Sequence, residues 1–168
     1  MTSKLTSKRC WGGVSFLALI LSMACASPAP PPQQGAGSLL PETAIEDQFG
    51  EEHVLGDDVR LVMMTRDMEA GEVARAAIER AGPATLEGPD KVYVSDISGM
   101  PSLIATMFAI PKMRDRPYRL LLDRDGIFTA RFPSEPAHVT LLIVEDRRIR
   151  EIRHLAEPEE IAALLSGE

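Results

Sequence analysis

Apolar and polar positions alternate along the chain in blocks that predict strands and helices in turn. Residues 59–65 (VRLVMMT) are almost continuously apolar, which is typical of a strand buried on both faces of a sheet. Residues 68–81 carry apolar side chains at helical spacing, and the pair Gly82 and Pro83 predicts the end of that helix. Residues 91–95 (KVYVS) predict a second strand.

The next part of the chain predicts a short apolar helix and a strand–turn–strand unit. Residues 100–110 are mostly apolar, and we expect Pro111 to end a helix there, because proline lacks the amide hydrogen that a helix interior needs. Residues 118–123 predict a strand, Gly126 a turn, and residues 127–132 a second extended segment.

The C-terminal part predicts a hairpin and a closing helix. Residues 139–144 and 148–153 are extended segments with a short link, and residues 157–166 predict a helix with Pro158 in its first turn. Helical crossovers make the early strands parallel, whereas a short link makes the last pair antiparallel. We therefore expect an α/β sandwich with a central mixed sheet, helices on both faces and a C-terminal hairpin plus helix.

The first 25 residues have the pattern of a bacterial export signal. Three basic residues precede an apolar run over 14–26, which is shorter than the about 20 residues that one bilayer span needs. This length argues against a permanent membrane helix counted from Trp11. Residues 24–26 (ACA) are an A-x-A cleavage pattern, and residues 21–25 (LSMAC) resemble a lipobox, in which Cys25 would be lipidated. We favour the lipobox, because a lone cysteine there is otherwise hard to explain.

The segment behind Cys25 predicts a spacer and then one domain. In the lipoprotein family, a residue other than Asp behind the cysteine implies the outer membrane; a soluble periplasmic or secreted protein is the alternative. Residues 26–38 hold four prolines and no charge, so they predict an extended linker before a domain at 39–168. Beyond residue 25 the chain has 15 basic and 25 acidic residues, which argues against nucleic acid as a partner.

Three segments of the domain carry a family resemblance. Residues 117–126 (PYRLLLDRDG), 139–149 (VTLLIVEDRRI) and 156–165 (AEPEEIAALL) are similar to exported TlpA-like and peroxiredoxin-like relatives of thioredoxin. They are most similar to the cysteine-poor YtfJ-type periplasmic proteins, and the opening residues 47–50 (DQFG) also fit that group. The resemblance covers roughly residues 39–166 and implies a thioredoxin-like fold.

The chain departs from the redox members of that family at both catalytic elements. Those members carry C-x-x-C at the start of the helix behind the first central strand, where this chain has residues 66–69 (RDME). The attacking species in such chemistry is a thiolate, and the two cysteines, Cys10 and Cys25, lie outside the predicted domain. The cis-proline position matches His138 or Val139. We therefore predict no thiol chemistry and no cofactor, and we favour a non-enzyme.

Polar residues follow the two predicted parallel strands and precede the hairpin. Ligands of parallel α/β sheets bind beyond the carboxyl ends of the strands. We therefore expect a candidate site for a small anion, a peptide end or a metal, formed by Arg66, Asp67, Asp96, Ser98 and His138. The alternative is that the two aspartates cap the helices that follow them, with the arginine as a solvated ion-pair partner.

Two further groups carry hypotheses. Lys112, Arg114 and Arg116 form the basic cluster, which can meet an acidic partner or anionic lipid headgroups, or can be a solvated loop. Thioether sulfur suits Cu(I), so a methionine–histidine set is a candidate for copper handling, against the alternative of methionine as core filler. That set is Met64, Met68 and His138.

Together these patterns predict an exported, membrane-anchored thioredoxin-like domain without redox cysteines. We expect it to act as a non-catalytic binding or assembly module for a protein partner in the bacterial cell envelope. The alternatives are a small-molecule binder or thiol-independent enzyme that uses the polar sheet edge, and copper handling.

Overall fold

The computed structural model describes residues 33–167, so the predicted signal segment, Cys25 and most of the predicted linker lie outside the described residues. In chain order the strands are β1 (Ala44–Glu46), β2 (Glu52–Val54), β3 (Leu61–Thr65), β4 (Lys91–Asp96), β5 (Leu121–Asp123), β6 (Val139–Glu145) and β7 (Arg148–Leu155). The α-helices are α1 (Met68–Ala81), α2 (Ser102–Ile104), α3 (Ile110–Arg114) and α4 (Pro158–Ser166). Within residues 33–167, no helix has the length and apolarity that crossing a bilayer requires.

A five-stranded mixed sheet in the order β5–β4–β3–β6–β7 forms the centre of the molecule. Strand β3 pairs in parallel with β4, as expected from the helical crossover, and antiparallel with β6, a pairing that the sequence pattern does not predict. Every residue of β3 is buried, because both faces of the sheet are covered. Met63 therefore packs into the core on one face and Met64 into the core on the other.

Helices α1 and α4 cover the first face. Asp67 caps α1 by accepting a hydrogen bond from the amide of Ala70, and the helix ends at Gly82, whose φ of 91° the absence of a side chain permits. The buried residues of α1 pack in one core with Met63 of β3 and Ile161 of α4. Both predicted helices are confirmed.

The second face is covered by the β1–β2 hairpin and by a 3₁₀ turn at Thr129–Arg131. Phe128 and Phe132 flank that turn, and their ring centroids lie 5.3 Å apart in an edge-to-face arrangement. Both rings join Met64 in the core of this face. Helical elements thus lie on both faces of the mixed sheet, as expected, and between residues 33 and 167 the helical element of the second face is this 3₁₀ turn.

The prediction that Pro111 ends a helix is wrong. Helix α2 continues through a π-helical segment, Ala105–Ala109, into α3, which contains Pro111. The amide of Ile110 donates to the carbonyl of Ala105, five residues back. A proline in a helix has no hydrogen to donate and crowds the carbonyl four residues earlier, and the wider π turn in front of Pro111 accommodates both effects.

The prediction of an extended segment at 127–132 is also wrong. Buried Asp123 at the end of β5 accepts hydrogen bonds from the amide and the hydroxyl of Thr129, at 2.8 and 2.9 Å. These bonds curl the chain behind Gly126 into the 3₁₀ turn instead of letting it pair with β5. Strand β5 is also shorter than predicted, since only Leu121–Asp123 is extended.

The predicted C-terminal hairpin is confirmed, and its turn needs no glycine. Glu145 pairs with Arg148, so the loop is two residues, and both have a positive φ, 49° at Asp146 and 62° at Arg147. Two left-handed residues in succession are the requirement of a type I′ turn, whose twist matches that of the strands.

The hydrogen-bonded domain begins before the predicted boundary at Leu39. The amide of Gln34 donates to the carbonyl of Arg131 at 2.6 Å, and the amide of Gly37 donates to that of Ile149 at 2.7 Å. The last residues of the predicted linker are therefore bound to the domain.

Candidate functional site

The carboxyl ends of β3 and β4 meet at one edge of the sheet, because the two strands are parallel and in register. This places Arg66, just behind β3, next to Asp96, the last residue of β4. The Arg66 Nε donates to the Asp96 Oδ2 at 3.3 Å, and the Arg66 Nη1 donates to the Ser134 hydroxyl at 3.1 Å. The predicted convergence of these side chains at the sheet edge is thus present.

Asp96 is the acceptor around which this edge is organised. Its Oδ1 accepts from the amide and the hydroxyl of Ser98, and its Oδ2 accepts from Arg66 and lies 2.8 Å from the Thr129 hydroxyl oxygen. The single hydrogen of that hydroxyl is shared between Asp96 and Asp123. Burial would raise the pKa of Asp96, but the hydrogen bonds from Ser98 and Thr129 and the charge of Arg66 outweigh burial and lower that pKa below its usual value. These partners therefore stabilise the charged form of Asp96.

Asp67 joins the start of α1 to the loop in front of β6. Its Oδ1 accepts from the amide of Ala70 at 2.7 Å, which is the N-cap interaction. Its Oδ2 accepts from the amide of Ala137 at 3.0 Å. Both oxygens of Asp67 thus have backbone partners, and the capping alternative raised from the sequence describes this side chain.

His138 adjoins the sheet edge but is turned to its own loop. Its Nδ1 lies 2.8 Å from the Pro136 carbonyl oxygen, and its Nε2 lies 3.9 Å from a carboxylate oxygen of Glu135. The cavity described next has Arg66, Asp67 and Asp96 in its walls, but Ser98 and His138 do not line it. The predicted five-residue set is therefore split. Its role in binding a ligand stays a prediction.

A cavity of about 520 Å³, here called the groove, lies between the start of α1, the end of β4 and the segment that runs from Gly99 to Arg116. Its basic residues are Arg66, Arg75, Lys112 and Arg116. The sequence treats the sheet edge and the basic cluster as separate surfaces, whereas the fold brings them to the two walls of one groove. The sequence offered one indication of this groove: β4 and β5 are parallel, so the segment between them must pass the sheet edge before β5 begins.

The apolar part of the groove is rich in methionine. Met68, Met100 and Met113 line it, together with Ile97 and Leu120. Met68 is 77% exposed, whereas Met64 is 2% exposed in the core of the opposite face. Side chains alternate between the two faces of a sheet along a strand, and the side chain of Met64 points to the second face, away from α1 and Met68. The predicted copper set of Met64, Met68 and His138 is thus not assembled.

The basic cluster divides by role. Arg114 Nε donates to the carbonyl of Gln48 at 2.8 Å, which ties α3 to the loop between β1 and β2. Arg116 donates to the Tyr118 hydroxyl at 2.6 Å, and its guanidinium lies 5.9 Å from the centre of that ring. Lys112 is exposed and makes no ion pair within residues 33–167. Lys112 is therefore the cation best placed to meet a ligand in the groove.

Arg66, Asp67 and Met68, at the start of α1, form one edge of the groove. No cysteine occurs between residues 33 and 167, and no peptide bond in that range is cis. The groove can therefore bind through cations and thioethers, but its described residues offer no thiolate.

Sequence reasoning missed three residues that meet at the β1–β2 hairpin. Ligand atoms of Asp47, Glu51 and His53 lie within 4.8 Å of one another, a spacing that can hold a metal ion. However, Asp47 Oδ1 accepts from the amides of Phe49 and Glu51, and its Oδ2 lies 2.9 Å from His53 Nε2. The oxygens of Asp47 are thus committed to holding the hairpin loop. Thr129, also missed, is fully buried between Asp96 and Asp123.

No protein-family model matches the chain, and no curated protein matches it. Solved structures do match. A candidate protein disulfide isomerase from Bacteroides thetaiotaomicron is 19% identical, with a TM-score of 0.55 over 80% of this chain and 91% of that chain. Peroxidoxin BcpB from Mycobacterium tuberculosis is 14% identical, with a TM-score of 0.52 over 80% of this chain and 96% of that chain.

A third similar structure is the exposed lipoprotein thioredoxin of Streptococcus pneumoniae. It is 14% identical, with a TM-score of 0.52 over 76% of this chain and all of that chain. At these identities the likeness concerns the fold alone. The chain therefore has a thioredoxin-like α/β fold, built on a central mixed sheet of five strands.

Proposed function

We propose that this chain is an exported, lipid-anchored thioredoxin-like domain that binds a protein partner in the groove without thiol chemistry. One observation carries the proposal: a cavity of about 520 Å³ is lined by Arg66, Asp67 and Met68. The family resemblance implies that these residues stand where redox members have their cysteine pair. The binding surface of the fold is thus kept, while the thiolate that would act on a bound substrate is replaced.

The chemistry of the groove favours an acidic protein segment with an apolar side chain. Lys112 and Arg116 stand on one wall and Arg66 and Arg75 on the other, in a chain whose formal net charge is −7. The groove also contains the acidic residues Asp67, Glu72 and Asp96, of which Asp96 pairs with Arg66, so the excess of positive charge lies on the wall of Lys112 and Arg116. The methionine-rich floor can take an apolar side chain of varied shape, because methionine is flexible and polarisable. Opposite charge at the rim then selects the partner and speeds its association.

The cell envelope is the proposed location. The basic start, the short apolar run and the lipobox-like residues 21–25 support export and lipidation of Cys25. The finer resemblance to cysteine-poor YtfJ-type and TlpA-like periplasmic proteins belongs to the same proposal. One structural neighbour is itself an exposed lipoprotein thioredoxin, so this fold does occur behind a lipid anchor.

Site-specific photocrosslinking in intact envelopes tests the groove. A photoreactive residue replaces Met68 in the groove or, as the control, Leu39, which is exposed beside Arg148 at the opposite end of the sheet. We expect a discrete crosslinked band from position 68 alone, and we expect Lys112→Ala to weaken that band severalfold. Arg80→Ala is the matched control, since Arg80 is an exposed cation of α1 outside the groove.

Three results would contradict the proposal. The first is equal crosslinking from both positions, and the second is a band that responds equally to Lys112→Ala and Arg80→Ala. The third is turnover of a disulfide or peroxide substrate by the purified protein after alkylation of both cysteines. The anchor is tested separately by labelling with radioactive palmitate, which we expect in the native chain and not in Cys25→Ser.

A further inference from the structure

The segment Ser102–Arg114 is apolar on its outer side as well as on its inner side. Ala105 and Ile110 are buried in the core of the first face. Four large apolar side chains on the same segment remain in solvent, and we call them the apolar face: Leu103 (68% exposed), Ile104 (50%), Met107 (59%) and Phe108 (60%). Monomeric domains rarely leave such a contiguous group uncovered, so the apolar face indicates an interaction surface.

Cations are concentrated behind this face. Residues 102–119 contain four basic residues and one acidic residue, Asp115, although the chain as a whole has an excess of acids. Lys112, four residues behind Phe108 on the same segment, is exposed, whereas Arg119 lines the cavity at the β1–β2 hairpin. An apolar helical face with adjacent cations is the composition of helices that lie in the headgroup region of a bilayer.

We propose that the apolar face rests on a bilayer that contains anionic lipid. A second copy of the chain is disfavoured, because a symmetric contact through this face would bring the two cationic clusters together. The four side chains also project from a helix and line none of the cavities at the groove, at the β1–β2 hairpin or beside Tyr118. A projecting face of this kind suits the fluid interior of a bilayer, which needs no matching shape.

The first described residues of the chain lie at the same end of the molecule as the start of the segment that carries the apolar face. The amide of Gln34 donates to Arg131, which ends the 3₁₀ turn whose Thr129 hydroxyl donates to Asp96. The segment that carries the apolar face departs from that same end, a few residues behind Asp96. Eight residues separate Cys25 from Gln34. A chain of that length can reach roughly 25 Å at about 3.1 Å per residue, so an anchor on Cys25 would allow the face to reach the lipid.

This inference rests on the membrane anchor of the proposed function, and it adds the surface of the domain that meets the lipid. The two remain separable, because the apolar face lies outside the groove lining. A failure of palmitate labelling would contradict the proposed lipid anchor alone. A failure of the fluorescence experiment below would contradict the proposed lipid contact alone.

Tryptophan fluorescence on the full chain tests the contact. Trp11 is the single tryptophan, so Trp11→Phe provides a dark background for F108W and, as the control, for L39W. Leu39 has a similar exposure, 55%, but pairs with Arg148 at the other end of the sheet. With phosphatidylglycerol vesicles that carry brominated acyl chains, we expect blue-shifted and quenched emission from F108W and unchanged emission from L39W.

One double variant and added salt separate the two contributions to the contact. We expect L103Q with I104Q to abolish the quenching in F108W, and we expect raised salt concentration to weaken vesicle binding severalfold, because salt screens the attraction between cations and an anionic surface. Vesicles of phosphatidylcholine alone should quench F108W far less.

Four results would overturn the proposal. The first is F108W that sediments with the vesicles and stays unquenched, and the second is L39W that is quenched as strongly as F108W. A blue shift in F108W that depends on protein concentration without vesicles would assign the face to a second copy. A shift with a soluble envelope extract and none with vesicles would assign it to a protein.

Discussion

Arg66 lies directly behind β3 and Asp96 is the last residue of the neighbouring parallel strand β4, and the Arg66 Nε donates to the Asp96 Oδ2 at 3.3 Å. The contact is possible because the register of β3 and β4 brings Thr65 opposite Ser95, so the residue that follows each of them lies at the same edge of the sheet. Asp96 also accepts hydrogen bonds from Ser98 and Thr129, and it thereby joins β4 to the loop in front of α2 and to the 3₁₀ turn.

The first prediction concerns the charge of Asp96. Its folded-state pKa is lowered, so its contribution to stability is present above the unfolded value of 3.8 and is lost as pH falls through the folded value. We expect Asp96→Asn to reduce the free energy of unfolding by about 1–3 kcal/mol at neutral pH, since Asp96 is a largely buried acceptor of several hydrogen bonds.

Urea unfolding at several pH values measures this effect. The difference between wild type and Asp96→Asn should shrink as pH falls below 3.8, where the wild-type carboxylate becomes protonated. The matched control is Asp125→Asn, an exposed aspartate on the neighbouring turn, which we expect to change stability by less than about 0.5 kcal/mol. A difference for Asp96→Asn that stays constant down to pH 2 would contradict the linkage.

The second prediction concerns the double role of Asp67. Asp67→Ala removes the cap of α1 and the acceptor of the Ala137 amide, and we expect a loss of about 2 kcal/mol, of which the cap supplies about 1. Asp67→Ser should lose less, because serine can still cap the helix but cannot serve both donors. Hydrogen exchange at the Ala137 amide should quicken in both variants, and unchanged exchange in Asp67→Ser would contradict the second role.

The third prediction concerns Asp47 in the β1–β2 hairpin. Burial would raise its pKa, but the hydrogen bond from His53, the amides of Glu51 and Phe49 and the charge of His53 together lower that pKa. We expect His53→Ala to raise the pKa of the Asp47 carboxyl, as followed by NMR, and to destabilise the protein by about 1 kcal/mol above pH 4. His138→Ala is the control, because His138 lies in another loop. A carboxyl titration unchanged in His53→Ala would contradict the assignment.

The fold could be predicted from the sequence where the pattern is local and periodic. The buried run at 59–65 and the helical spacing of 68–81 specify β3 and α1, whose bounds were found to within two residues. The final hairpin could be predicted from its two short extended segments. Its type I′ turn could not, because Arg147 stands where a glycine usually follows the aspartate of such a turn.

Prediction failed where a distant contact overrides the local signal. Pro111 normally ends a helix, but the π segment in front of it and the burial of Ala105 and Ile110 keep the segment helical. The extended pattern at 127–132 yields to the bonds between Asp123 and Thr129. For the site, the strand ends predicted Arg66 beside Asp96. That Lys112 lines the same groove depends on the path of the crossover, which no spacing in the sequence encodes.

The last prediction concerns Tyr93, which lies under the groove. Its hydroxyl is 3.2 Å from the Thr65 hydroxyl, and burial of the side chain raises the pKa of Tyr93 to about 12. The folded state therefore holds this proton more tightly than the unfolded chain does. The resulting stability is fully present below the unfolded value of 10.0 and is lost as pH rises from there toward 12.

Ultraviolet absorbance of phenolate measures this titration. The sequence has two tyrosines, so Tyr118→Phe leaves Tyr93 as the only phenol, and Tyr93→Phe is the matched control that leaves Tyr118. We expect the phenolate of Tyr118→Phe to form only near pH 12 or together with unfolding, as followed by circular dichroism on the same samples. A phenolate midpoint near pH 10 with the far-ultraviolet spectrum intact would show that water reaches Tyr93 through the groove, and that the cavity extends to the sheet itself.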